Sequence, residues 1–194
     1  MNNDLRKKLL AMSAKDLLVR EELARTGELF DGYAPKMEAI HLENAAELEK
    51  IIDEFGWTGI SLVGKDGAEA AWLIVQHAIS LPEFSRKCLK LIKKAVAENE
   101  AEANQFAYLQ DRINFFEGKP QKFGTQTDWN ADGKMEVWRL ENAEKINEYR
   151  AEVGLKPLEK LIWENAETIG NAPKNFAEHQ RKAKEWMEKI GWRK

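Results

Sequence analysis

Gln76 and His77 are adjacent polar residues in the stretch 68–80, which is otherwise apolar nearly all round a helix. A helix without a polar face is a buried helix, and a buried imidazole without a hydrogen-bond partner costs about 1–3 kcal/mol. Two interpretations follow. His77 is a core histidine that binds a backbone carbonyl, or it lines an internal pocket and transfers protons there, because the ordinary pKa of histidine suits that chemistry.

A second polar pair, Asp111 and Arg112, lies in a helix predicted over about 100–117. Aromatic residues stand one helical turn before and after Asp111, so the carboxylate shares its face with two rings. A carboxylate in that setting needs a cation or strong hydrogen-bond donors. Asp111 is therefore half of a structural ion pair, with an arginine such as Arg150, or it is a site acid or an orienting group for His77.

The segment 118–126 carries two glutamines, Gln121 and Gln126, where the chain enters a predicted strand. Their amides both donate and accept hydrogen bonds, and Gly124 allows another group to approach the backbone closely. These features suit the binding of a polar ligand, and they suit a loop that is tied to the core equally well. The spacing matches no phosphate-binding loop.

Oxygen-bearing side chains alternate along Asp128, Asn130 and Asp132, and Gly133 follows, as in the first half of a calcium loop. The twelfth position, where such a loop needs a bidentate acid, is Arg139. A cation at that place argues strongly against calcium. Asn, Asp and Gly are also turn formers, and a solvated hairpin turn explains the same residues.

The three histidines, His41, His77 and His179, show no paired ligand spacing on one helix face, so we expect no metal site. No cofactor-binding motif is present either, and we expect no cofactor. Cys88 is the single cysteine, which excludes a disulfide framework and a cysteine-based zinc cluster. It lies on an amphipathic helix, where a buried, unreactive thiol is the favoured interpretation.

The hydrophobic pattern that must position these residues is helical along almost the whole chain. In the first helix, predicted over 3–25, the apolar stripe includes Leu5, Leu9, Met12, Leu17, Leu18 and Leu23. Glycine pairs predict turns at 56–59 and 64–67, and Ser80-Leu81-Pro82-Glu83 resembles a capping box. Further helices are predicted over about 35–55, 68–80, 82–98, 100–117, 142–153, 157–170 and 173–194.

One segment has the alternation of a strand. Polar and apolar residues alternate over 123–129, turn formers occupy 130–133, and 135–138 can pair back, which predicts a small β-hairpin near residues 122–140. The fold class is therefore mainly α, a compact helical domain of about seven or eight helices with this one hairpin. We expect a single helical domain over 1–160 and a C-terminal helical extension over 161–194 packed on it.

Composition narrows the classes of partner. The chain has 194 residues and a formal net charge of -3, so no global positive field attracts nucleic acid. The longest apolar run, 70–75, is far too short to span a bilayer, and the N-terminus has no apolar signal core. We therefore expect a cytoplasmic protein with no nucleic-acid or membrane partner.

The C-terminal helix combines an apolar stripe that includes Trp186 and Ile190 with several lysines and arginines. One interpretation is a helix that binds a protein partner, a second copy of the chain or a membrane surface. The favoured one is a helix docked on the body of the protein with a solvated basic face, because Glu178, Glu185 and Glu188 dilute the charge.

Several strings together resemble an uncharacterised bacterial family of domains of unknown function. The match covers about residues 30–160, and its most distinctive strings are Gln76-His77-Ala78, Tyr108-Leu109-x-Asp111-Arg112-Ile113 and Gly118-x-Pro120-Gln121-x-Phe123-Gly124-Thr125-Gln126. The resemblance supplies no activity. It implies that one shared pattern includes His41, His77, Asp111, Arg112, Gln121, Gln126 and Arg150.

These observations lead to a hypothesis about function. Polar residues on buried helices are costly to stability and are retained more readily by a site than by packing. We predict a small-molecule-binding protein or an enzyme, a hydrolase or group transferase, with His77 and Asp111 as catalytic residues and a small polar or anionic ligand held by Arg112, Gln121, Gln126, His41 and Arg150. The alternative is a non-catalytic binding or interaction module in which the same residues form a structural hydrogen-bond network.

Overall fold

The structure, a computed structural model, describes residues 1–30, 32–158 and 175–194. The described residues form seven α-helices, one short 3-10 helix and one two-stranded antiparallel sheet, which confirms the mainly α fold with a small hairpin. The elements are α1 (Asn3–Thr26), the 3-10 helix (Glu28–Phe30), α2 (Pro35–Phe55), α3 (Ile60–His77), α4 (Pro82–Ala97), α5 (Ala103–Phe116), β1 (Thr127–Trp129), β2 (Met135–Val137), α6 (Ile146–Glu152) and α7 (Phe176–Lys189).

The chain divides into two compact units, the first formed by residues 1–102 and the second by residues 103–194. The first unit contains α1 to α4, and α1 packs against both α2 and α3. The second contains α5, the hairpin, α6 and α7. Most of the helix predicted over 157–170 lies outside the described residues. In the described part of the chain, no helix is long and apolar enough to cross a membrane.

Helix α1 begins where Asn2 accepts a hydrogen bond from the backbone N–H of Leu5, and it ends at Gly27 in the left-handed conformation. The predicted bounds are therefore right to within a residue. The predicted stripe is wrong in part, because Leu17 and Leu18 are 48% and 66% exposed. The buried face continues instead through two polar residues, which are Ser13 and Asp16.

Helix α3 begins earlier than predicted, at Ile60, and the turn predicted at 64–67 is a kink inside it. Gly64 has a positive φ of 75° there and interrupts the helical geometry, while Gly67 is helical and buried. The capping box predicted at 80–83 is also wrong. Leu81 is the N-cap of α4, and no side chain caps it. The Ser80 hydroxyl donates a hydrogen bond to Glu38 of α2 instead.

In the second unit, α7 docks on the C-terminal end of α5. The rings of Phe116 and Trp192 stack with centroids 5.2 Å apart, and Trp186 packs beside them. The Arg193 guanidinium donates to the carbonyls of Phe115 and Phe116, which are among the last carbonyls of α5. A partner for α7 stays a prediction.

The sheet is a three-residue pairing in which Asp128 of β1 faces Glu136 of β2. The turn between the strands is stabilised by the Asn130 side chain, which accepts hydrogen bonds from the backbone N–H groups of Asp132 and Lys134. Asn130, one of the alternating oxygen-bearing residues, therefore stabilises the hairpin turn, as the solvated-turn interpretation predicts.

Candidate functional site

Three helices of the first unit bring an aspartate and two histidines together in the histidine–aspartate cluster, which is Asp16 of α1, His41 of α2 and His77 of α3. His77 is the last residue of its helix, whereas Asp16 and His41 lie within theirs. Asp16 lies on the buried face of α1, where an apolar side chain is usual. His41 lies on the buried face of α2, one turn after the buried Met37. The packing of α1 against α2 and α3 therefore places all three side chains in one interior region.

The Asp16 carboxylate lies between the two imidazoles. The Nδ1 atom of His77 lies 2.9 Å from Oδ1 and 3.0 Å from Oδ2 of Asp16, so the ring N–H donates to the carboxylate. The Nε2 atom of His41 lies 3.3 Å from Oδ2 but does not make a hydrogen bond of good geometry. The centroids of the two imidazole rings are 5.0 Å apart.

Asp16 stays ionised despite being 1% exposed. Burial raises the pKa of this carboxyl, but the neighbouring imidazoles of His77 and His41 outweigh that effect and lower the pKa from 3.8 to about 2. An ionised acceptor at this place fixes the His77 ring with its Nδ1 toward the carboxylate.

Tyr33 extends the cluster on the side of His41. Its hydroxyl oxygen lies 2.7 Å from Nδ1 of His41, and the two rings stack with centroids 5.7 Å apart. Burial raises the pKa of Tyr33, so the hydroxyl is neutral at physiological pH. The hydroxyl of Ser80, which binds Glu38, also interacts with Tyr33. His41 is thus oriented by the contact of its Nδ1 atom with Tyr33.

Exposure within the cluster is uneven. The side chains of Asp16 and His41 are 1% and 8% exposed, whereas the side chain of His77 is 18% exposed. His77 is therefore the member that a small molecule reaches first. Each of the three side chains also offers one metal-ligating atom, and these atoms all lie within 4.8 Å of one another.

The second unit contains a different arrangement around another buried carboxylate. Asp111 is fully buried on α5 and accepts hydrogen bonds from the backbone N–H groups of Lys122, Phe123 and Thr125 at 2.9–3.2 Å. The Thr125 hydroxyl donates to it as well. Burial raises the pKa of Asp111, and the donors from Phe123, Thr125 and Lys122 oppose that rise. The sequence predicted that Asp111 needs strong hydrogen-bond donors. The structure supplies them from a single loop, residues 121–126.

Gln121 closes the 121–126 loop on itself. Its side-chain amide donates to the carbonyls of Gln126 and Trp138, and it accepts from the backbone N–H of Gln126. The side-chain amide of Gln126 donates to the hydroxyl of Thr125. Gln121 is fully buried, so these bonds satisfy amide groups that water does not reach.

Arg150 of α6 binds the carbonyl side of the same loop. Its guanidinium donates to the carbonyl of Phe123 at 2.6 Å and to that of Gly124 at 3.3 Å, and its Nε donates to the carbonyl of Lys156. Gly124 has a positive φ of 64°, and a Cβ there would meet the side chain of Ile146 at 3.3 Å. The close approach expected at this glycine is therefore present.

The residues predicted from the sequence divide between the two units. His41 and His77 come together in the first unit, and Asp111, Gln121, Gln126 and Arg150 come together around the 121–126 loop in the second. Arg112 follows Asp111 on α5 and is half-buried. One pocket shared by all seven residues stays a prediction.

Two residues of the site were missed in the sequence, namely Asp16 and Tyr33. Asp16 gave a usable signal, because it stands eleven residues after Leu5 and seven after Leu9, on the same face of α1. An acid within an apolar stripe is as unusual as a histidine within one. Tyr33 lies in a loop before α2, where no periodic pattern marks it.

A comparison with protein families gives a match that covers residues 3–172. The chain belongs to DUF6624, a family of unknown function. The match begins within α1 and includes Asp16, His41 and His77, so it extends well beyond the 30–160 region in which the resemblance was recognised. No curated protein and no solved structure matches the chain.

Proposed function

We propose that this DUF6624 protein is an enzyme, a hydrolase or group transferase, that acts on a small polar molecule at the histidine–aspartate cluster. One observation carries the proposal. A buried, ionised aspartate binds Nδ1 of a histidine that is partly exposed, with contacts of 2.9 and 3.0 Å. A carboxylate in this role holds a histidine in the tautomer and orientation needed for proton transfer.

The proposed chemistry is general base catalysis by His77. Because Asp16 accepts the Nδ1–H, the lone pair of the neutral ring lies on Nε2, and Nε2 removes a proton from water or from a hydroxyl group of the substrate. The activated oxygen forms a bond to an electrophilic carbon or phosphorus atom, and the bond to the leaving group breaks. The imidazolium then returns its proton to the leaving group, and Asp16 stabilises the cation while it exists.

Burial of Asp16 supports a functional role for the cluster. Removing a carboxylate from water is expensive, and apolar residues of similar volume are often at least as stabilising at such a position. An acid, two histidines and a tyrosine from three helices and a loop occupy positions that apolar side chains could fill. Their retention together is easier to explain by chemistry than by packing.

A second candidate function is favoured by the second unit. Asp111, Gln121 and Arg150 bind backbone groups of the 121–126 loop, which is what the non-catalytic alternative describes. In that alternative the loop is a rigid surface for a small molecule or a protein partner. We further propose that the protein works in the cytoplasm, since its single cysteine is free and buried.

Hydrolysis of chromogenic probes tests the enzyme proposal. The panel contains p-nitrophenyl acetate, p-nitrophenyl phosphate and alanine p-nitroanilide, which represent ester, phosphate and amide substrates. For at least one probe, we expect His77→Gln to lower kcat/KM by about 100-fold or more, and Asp16→Asn by a similar factor. His179→Gln changes an exposed histidine and serves as the matched control.

Two outcomes contradict the enzyme proposal. In the first, none of the three probes is hydrolysed faster by the wild type than by His77→Gln. In the second, all variants retain the wild-type rate while circular dichroism shows that they are folded. A metabolite that raises the Tm of the wild type and of His77→Gln equally would favour the non-catalytic alternative.

A further inference from the structure

We infer that Asp16, His41 and His77 together bind one divalent transition-metal ion of the zinc type. The inference deepens the proposed function, because it rests on the same cluster being the functional site. When the ion binds, Nδ1 of His77 would give up its proton and the neutral ring would carry its proton on Nε2, so a metal-bound water would take the place of the Nε2 base. The inference replaces our sequence-based expectation that the chain has no metal site. That expectation considered spacing along single helices, whereas the three ligands come from three different helices.

The donor set fits such an ion. Two imidazole nitrogens and one carboxylate oxygen are ligands that Zn²⁺, Fe²⁺ and Co²⁺ accept, whereas Ca²⁺ and Mg²⁺ prefer oxygen ligands alone. Three protein ligands also leave a coordination position open for water, as catalytic zinc sites do. A metal-bound water is a stronger acid than bulk water, so the ion would supply the nucleophile of a hydrolase.

The distances fit as well. Around a tetrahedral ion with metal–ligand bonds of about 2.1 Å, neighbouring ligand atoms lie about 3.4 Å apart. In the cluster, Oδ2 of Asp16 lies 3.3 Å from Nε2 of His41, and the carboxylate lies 2.9 Å from Nδ1 of His77. All three ligand atoms lie within 4.8 Å of one another. Shifts of less than about 1 Å therefore suffice to bring them around one ion.

His41 supplies an independent observation. Its Nε2 atom is buried, and it faces the Asp16 carboxylate at 3.3 Å without forming a hydrogen bond of good geometry. A buried nitrogen in that state costs free energy unless another partner binds it. A metal ion between Nε2 and the carboxylate is such a partner.

Tyr33 is compatible with the tautomer of His41 that a metal requires. A metal-binding imidazole normally donates its other ring N–H to a protein acceptor, which orients the ring. The Tyr33 hydroxyl oxygen lies 2.7 Å from Nδ1 of His41 and can accept that N–H, which leaves the lone pair on Nε2. Tyr33 is therefore a positioning residue for the ion and does not bind it.

The test measures metal binding directly, without any substrate. The full chain is stripped with EDTA, dialysed and titrated with ZnCl₂ and CoCl₂ by calorimetry, with MgCl₂ as the comparison. We expect one Zn²⁺ per chain with a Kd at or below about 1 μM, and visible absorption from bound Co²⁺ typical of mixed nitrogen and oxygen ligands. Mg²⁺ is expected to bind at least 100-fold more weakly.

Variants assign the ion to these residues. Asp16→Asn, His41→Gln and His77→Gln are each expected to weaken Zn²⁺ binding by at least 100-fold, and Tyr33→Phe by about tenfold. His179→Gln again serves as the control and is expected to bind Zn²⁺ as the wild type does. Circular dichroism of each stripped variant shows whether it is folded. If a ligand variant unfolds, the Co²⁺ spectrum of Tyr33→Phe decides, because a changed spectrum requires the ion to lie beside His41.

The outcomes separate this inference from the proposed function. If the stripped chain hydrolyses a probe and Zn²⁺ does not bind, the metal inference fails and the catalytic role of His77 stands. If Zn²⁺ binds at the cluster and neither form hydrolyses any probe, the metal site stands and the enzyme proposal fails. Zn²⁺ binding that is equal in the wild type and in folded Asp16→Asn, His41→Gln and His77→Gln overturns the inference.

Discussion

The two units each bury an aspartate on a helix, and the partners of the two carboxylates differ. Asp16 contacts two imidazoles, which have lone pairs and exchangeable protons. Asp111 contacts three backbone N–H groups and one hydroxyl. Backbone N–H groups can only donate, so the Asp111 arrangement is complete once it forms. The Asp16 arrangement can still exchange a proton or accept a metal ion.

The pKa shifts of the two carboxyls point in opposite directions. Burial acts on both, but at Asp16 the two imidazoles overcome it and lower the pKa to about 2. At Asp111 burial prevails over the hydrogen bonds and raises the pKa. A buried acid is therefore not a site by itself. The type of group that compensates its burial decides whether chemistry is available there.

The largest expected difference is in stability. Asp111→Asn keeps one acceptor oxygen but places an amide NH₂ against the N–H donors that bound the other oxygen, so those donors of the 121–126 loop lose their acceptor. We expect the free energy of unfolding to fall by about 3 kcal/mol or more. Asp16→Asn keeps an acceptor oxygen for His77, and its new NH₂ can donate to a ring nitrogen. We expect that variant to lose about 1 kcal/mol.

Urea unfolding at neutral pH measures both values. Asp132→Asn, in the exposed hairpin turn, is the control for an aspartate that accepts no buried hydrogen bond, and it should change stability by less than about 0.5 kcal/mol. Equal losses for Asp16→Asn and Asp111→Asn would show that the two carboxylates have the same structural role, and the comparison between them would fail.

A smaller loss of stability is expected when Arg150, which binds carbonyl groups of the 121–126 loop, is changed. Arg150→Lys keeps the charge but cannot reach the carbonyls of Phe123, Gly124 and Lys156 with one ammonium group. We expect a loss of about 2–3 kcal/mol in the free energy of unfolding, with Zn²⁺ binding unchanged. Arg181→Lys is the control, because Arg181 forms an exposed ion pair with Glu185. A loss of Zn²⁺ binding in Arg150→Lys would contradict the assignment of Arg150 to backbone carbonyls of the second unit.

Much of the fold could be predicted because its signals are local. The bounds of α1 follow from Asn2 and Gly27, and the hairpin follows from alternation around the turn at 130–133. The need of Asp111 for strong donors could also be inferred from its aromatic surroundings. The identity of those donors could not, because backbone N–H groups carry no signature in the sequence.

The histidine–aspartate cluster shows where such reasoning stops. His77 stood out because its neighbours over 70–79, apart from Gln76, are apolar, whereas Asp16 was hidden among the charged residues of α1. Leu17 and Leu18 also suggested a stripe that excluded Asp16, and both are exposed. Which residue of one helix meets which residue of another depends on packing between helices. No spacing within a single helix records that relation.

The smallest expected effect is the contribution of Cys88 to the pH dependence of stability. Cys88 extends the comparison to a buried group whose neighbours do little to stabilise its charged form. Burial raises the pKa of this fully buried thiol from 9.0 to about 12. Because the folded-state pKa lies above the unfolded one, the contribution of Cys88 to stability is complete below pH 9 and is lost as the pH rises toward 12. At pH 10 that loss is on the order of 1 kcal/mol.

Urea unfolding of the wild type and of Cys88→Ala at pH 7 and pH 10 isolates this contribution, since other titrating groups are common to both chains. We expect the wild type to lose on the order of 1 kcal/mol more than Cys88→Ala between the two pH values. The native thiol should also react with a disulfide reagent only as fast as the chain opens, because the thiolate is the nucleophile. Equal pH dependence in the two chains, or rapid labelling of the native chain at pH 8, would mean that something other than burial controls Cys88. Burial would then be outweighed at Cys88 as well. Asp16 would no longer differ from both Asp111 and Cys88 in having partners that outweigh burial.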